Sequence, residues 1–109
     1  MKRFLHVSIV WGGAAKSIEQ LRPIFDLADD WLSYGSSNWI IYTGEDQFIW
    51  QGRIMAIVDT SVDRFFICEI SDVHDTSGFL SEWTWKWLRK PRIDDSEYGK
   101  LLPYIDPST

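Results

Sequence analysis

Apolar and polar positions alternate strictly from Phe4 to Trp11, with Leu5, Val7, Ile9 and Trp11 on one side and Phe4, His6, Ser8 and Val10 on the other. A period of two carried by β-branched residues predicts a first strand. Gly12-Gly13-Ala14-Ala15 predicts a turn, and Ser17 with Gln20 three positions on has the form of a capping box. The period then changes. Ile18, Leu21, Phe25, Ala28 and Leu32 recur at helical spacing and predict one apolar stripe, with Pro23 removing a hydrogen bond early in the helix. Residues 31–34 and 38–43 read as two short strands around Gly35-Ser36-Ser37, a hairpin. Thr43 and Asp46 begin a second helix. Its buried face is expected from Phe48, Ile49, Ile54, Ile57 and Val58, with Gly52 a weak point inside it. Residues 64–71 form the strongest strand pattern, apolar enough to predict a central place in a sheet. A polar loop over 72–78 leads to a third helix, opened by Ser81 and stopped by Pro91.

This order predicts an α+β protein: a ferredoxin-like βαββαβ antiparallel sheet with both main helices on one face and an extra C-terminal helix. The first and last strands are expected to be central, and the second sheet face open. A homodimer is the expected way of covering that face. At 109 residues there is room for one domain, expected over residues 1–93, with 94–109 a partly ordered tail.

Composition sharpens the picture in three places. An apolar share of 45% and a charged share of 25% exclude disorder as the main state. The lone Cys68 excludes a disulfide-stapled scaffold, and no apolar run reaches the ~18 residues of a membrane span. With no small-residue cleavage pattern after the basic start, a cytoplasmic protein without a membrane partner is expected. Seven tryptophans in so short a chain exceed what its core would hold, so some are expected at an interface. The net charge of −5 argues against a broad nucleic-acid surface. It is uneven, however: residues 84–92 contain Lys86, Arg89, Lys90 and Arg92 and no acidic residue.

That basic segment, interleaved with Trp85 and Trp87, is the sharpest candidate site. Trp85, Lys86, Arg89, Lys90 and Arg92 together would stack on bases and neutralise phosphates, or, in the plainer reading, pack their rings on the sheet and turn their charges to water. A second candidate is the cluster Glu69, Asp72, His74 and Asp75, where carboxylates and a histidine at a strand end would suit a divalent metal or an activated water. Its spacing matches no strong metal signature, and a solvated loop is the plainer reading. Asp26, Asp29 and Asp30 place negative charge at a helix end where the dipole disfavours it, a mild sign of a partner. Gly12-Gly13 lacks the spacing of a phosphate-binding fingerprint.

The runs Asn38-Trp39-Ile40-Ile41-Tyr42-Thr43 and Asp63-Arg64-Phe65-Phe66-Ile67-Cys68-Glu69-Ile70, followed by Glu82-Trp83-Thr84-Trp85-Lys86-Trp87-Leu88, resemble the SinR-type small proteins. Those are similar in fold to the VapD toxin ribonucleases and the small CRISPR adaptation protein. The resemblance covers roughly residues 3 to 90. It implies a ferredoxin-like homodimer and, in the nuclease relatives, a metal-dependent endonuclease with an aspartate near the end of the first strand. This chain has Val7-Ser8-Ile9-Val10-Trp11 there, and its first aspartate is Asp26. The leading expectation is therefore a non-catalytic homodimeric module acting through protein or weak nucleic-acid association, without a cofactor. One alternative is a VapD-like endoribonuclease using a divalent metal on the Glu69–Asp75 cluster. The other is an antitoxin- or inhibitor-like protein-binding module.

Overall fold

The computed structural model describes residues 1–92 and the backbone of residues 104–105. Eight elements follow one another: β1 (Arg3–Val10), α1 (Ile18–Phe25), β2 (Asp30–Tyr34), β3 (Asn38–Thr43), α2 (Gln47–Met55), β4 (Arg64–Ile70), α3 (Glu82–Arg89) and β5 (Tyr104–Ile105). They form a small α+β structure around one sheet ordered β4-β1-β3-β2-β5. The first four strands pair antiparallel, and β5 adds a parallel edge beside β2. That fifth strand lies in the predicted tail, the rest of which is outside the described residues.

The register explains the alternation in the sequence. Leu5 pairs with Ile41 and Val7 with Trp39, so these residues share one sheet face. There they meet Leu21 and Phe25 of α1 and Trp50 and Ile54 of α2 in the main core. Phe25 stacks on Trp39 with centroids 4.7 Å apart and planes at 10°. Three tryptophans, Trp31, Trp39 and Trp50, are fully enclosed in this layer.

Four expectations are corrected. The interior strands are β1, β3 and β2, and β4 is an edge strand paired with β1; none of its residues is fully buried, so its apolar run does not mark a central place. α1 stops at Phe25, where Asp26 caps it and accepts the Trp31 indole N–H at 2.8 Å. The apolar stripe continues into the core at Ala28, but Leu32 belongs to β2 and lies on the opposite face. In α2, Asp46 caps the helix by accepting the N–H groups of Phe48 and Ile49. This phase turns Trp50 and Ile54 inward and leaves Phe48 and Ile49 outside.

The fourth correction concerns the open face. α3 packs on it, bringing Trp87 and Leu88 against Leu32 and Ile40, with Phe4, Tyr34 and Ile70 around them. Ser81 caps α3 through the Thr84 N–H, as its sequence suggested. Among the described residues the far end of this face is exposed, around Val10 and Phe66. No helix among the described residues is long and apolar enough to cross a membrane.

Candidate functional site

The basic segment divides into an inner and an outer half. Arg92 turns back under α3, and its guanidinium lies 4.5 Å from the Trp87 ring centroid, 4.9 Å from Phe4 and 5.1 Å from Tyr42. It donates to the carbonyl of Trp87 at 2.8 Å and also to those of Leu88 and Lys90. Asp30, at the start of β2, receives both Lys90 at 3.0 Å and Arg92 at 3.6 Å. The carboxylate is buried and also accepts the N–H of Trp31. Aromatic faces, three carbonyls and one carboxylate thus satisfy two cations that, on sequence grounds, were candidates for contact with a partner.

The outer half is Trp85, Lys86 and Arg89. The Arg89 guanidinium sits 4.7 Å over the Trp85 ring and donates to the carbonyl of Thr76. Lys86 pairs with Glu82 one turn away at 3.2 Å, both well exposed. Phe79 stands fully in solvent on the loop before this helix. The surface therefore offers one stacked arginine, one neutralised lysine and a free phenyl ring.

The carboxylate–histidine cluster does not converge. Glu69 faces Arg3 at 3.4 Å, whereas Asp72 accepts the backbone N–H of His74 at 2.9 Å in a turn that its own loop requires. His74 and Asp75 are exposed. Among the described residues no three His, Cys, Asp or Glu side chains are grouped so as to hold a metal ion.

A carboxylate does reach the end of β1, but from another part of the chain. Asp63, buried just before β4, accepts the Gly12 N–H through Oδ1 and the Asp59 N–H through Oδ2, each at 2.8 Å. Both oxygens are committed to backbone, so Asp63 ties the β1–α1 loop to the α2–β4 loop. It borders an open cleft of about 520 Å³ lined also by Trp11, Lys16, Gln20, Val58 and Asp59. Gly12 is required at this junction, since a Cβ there would stand 2.1 Å from the Val62 carbonyl oxygen.

On the sheet face, the His6 Nε2 and the Tyr34 hydroxyl are 2.5 Å apart. Burial holds the His6 pKa below its ordinary value. Burial raises that of Tyr34, and the nearby Cys68 adds to the rise. The three helix-end aspartates all find partners within the chain: Asp26 the Trp31 indole, Asp29 Lys2 at 2.7 Å, and Asp30 the two cations. Sequence reasoning missed Asp30 and Asp63 as organising residues. The signal for Asp30 was its misplaced charge, and for Asp63 its position directly before a strand. Comparison with protein-family models, with curated proteins and with solved structures finds no match.

Proposed function

We propose that this chain is a non-catalytic ferredoxin-like module, akin to the SinR-type proteins, that acts as a homodimer through association with protein. The βαββαβ succession, with α1 and α2 on one face, supports the ferredoxin-like reading, from which the sheet order β4-β1-β3-β2-β5 departs by its added parallel edge. A cytoplasmic setting fits a chain whose one cysteine is a free thiol. The observation that carries the choice of protein over nucleic acid is the capture of Lys90 and Arg92 by Asp30. It withdraws half of the basic segment from any phosphate backbone, on a chain that already carries −5. Against the endoribonuclease alternative stands Asp63, whose two oxygens both serve backbone N–H groups, together with the scattered loop carboxylates.

The test is a titration of the protein with single-stranded RNA in magnesium, read by tryptophan emission and by gel. With only Lys86 and Arg89 turned outward, the log–log salt slope of any binding should be no steeper than about −1.5. The RNA should stay intact. A slope near −3, or cleavage that disappears in Asp72→Ala, overturns the reading.

A further inference from the structure

The solvent side of α2 departs from what a surface helix ordinarily shows. Its outward positions are Phe48, Ile49, Gln51, Gly52 and Met55, followed by Ala56 at the cap, and none of them carries a charge. Phe48 is 71% exposed, and Ile49 and Met55 are each 47% exposed. The single charge of the helix, Arg53, is turned aside: it stacks on Trp50 and pairs with Glu45. A helix apolar on both faces is normally covered on both. Elsewhere Leu27 follows Asp26 and Phe66 lies two positions from Arg64, while Phe79 stands alone on its loop.

Gly52 sits in the middle of this face. A Cβ built on it would meet nothing within 4 Å, so no contact among the described residues asks for glycine. Glycine in a helix interior is nonetheless costly relative to almost any other residue. Phe48, Gly52 and Ala56 follow one another at four-residue spacing and form one ridge, large at one end and small at the middle and the other end.

We infer that this face seats a second copy of the chain, the two α2 helices crossing antiparallel at Gly52 with Phe48 of each packed over Ala56 of the other. The ridge is complementary to itself under a two-fold axis through Gly52, as an isologous contact requires, and Ile49 then meets Met55 of the second copy. Charge does not bar this occupant. Two copies at −5 repel over most of their surface, and this uncharged helix face is where they approach at least electrostatic cost. The inference rests on the homodimer reading above and supplies its surface. The nine-residue helix is about 13 Å long, so the contact is small and the dimer is one of micromolar or weaker affinity.

The experiment is sedimentation equilibrium of the full chain from about 10 μM to 1 mM, with Phe48→Glu and Gly52→Leu alongside. Both variants keep the helix: the first adds an acidic residue to its first turn, and the second replaces glycine by a strong helix former. Thermal melting confirms that they fold. Dimerisation by the wild type, weakened tenfold or more in both variants, is the expected result. Wild-type association should also strengthen when salt is raised from about 50 to 500 mM, because salt screens the mutual repulsion. Dimers that persist unchanged in either variant overturn the α2 seat and leave the homodimer reading standing. A wild type that stays monomeric throughout overturns the homodimer reading and the inference with it.

Discussion

Replacing Asp30 by Asn tests whether the basic segment is held inward. The substitution keeps the shape and leaves an amide oxygen to accept the Trp31 N–H, but removes the charge facing Lys90 and Arg92. At an effective dielectric of about 20, unit charges at the observed 3.0 and 3.6 Å attract by about 5.5 and 4.6 kcal/mol. Desolvation of the buried carboxylate takes back several kcal/mol of that sum. The cations also keep other partners: Lys90 remains 27% exposed to water, and Arg92 retains its carbonyls and ring faces. The net loss is therefore about 2–4 kcal/mol, at the lower end of what breaking a buried pair costs. In a domain of this size that is a fall of roughly 10 °C or more in melting temperature. Urea denaturation followed by tryptophan emission reads it directly, since Trp87 stacks on Arg92. The control is Lys86→Ala, whose exposed pair with Glu82 is worth about 0.5 kcal/mol or less. An Asp30→Asn variant within about 1 kcal/mol of wild type refutes the inward clasp and returns Lys90 and Arg92 to the list of surface charges.

Two further perturbations probe the rest of the structure. Gly12→Ala should destabilise by about 1–3 kcal/mol, since the new methyl meets the backbone oxygen of Val62 and can be relieved only by moving the loop that Asp63 ties down. Unchanged urea midpoints would show that this junction is soft. For His6, burial keeps the folded-state pKa below that of the unfolded chain, so the unfolded state binds the proton more readily. Stability should then be full above about pH 6.5 and decline as the pH falls from there toward the folded pKa. The decline should be absent from a His6→Gln variant and so appear in the difference between the two proteins; equal pH dependence in both would dismiss burial of the imidazole as its source.

What the sequence determined by itself were the features that depend on near neighbours. The two-residue alternation of β1, the Ser17–Gln20 box and the Ser81 cap each place an element, because a strand's period and a helix's first turn are settled within a few residues. The hairpin turn is of the same kind, with Gly35 and Ser36 taking φ values of 62° and 56° between two short strands. What tertiary structure decided were relations between distant residues. An apolar strand such as β4 reads alike at an edge or at the centre, and only the pairing order separates the two. Phe48 and Trp50 both look fit for a core; the cap at Asp46 and the contact of Trp50 with Phe25 choose between them. The charges of residues 86–92 look alike in sequence as well. Asp30 lies some sixty residues earlier, and only the packing of α3 across the sheet brings it under Lys90 and Arg92 and turns half of an apparent binding segment into the fastening of that helix.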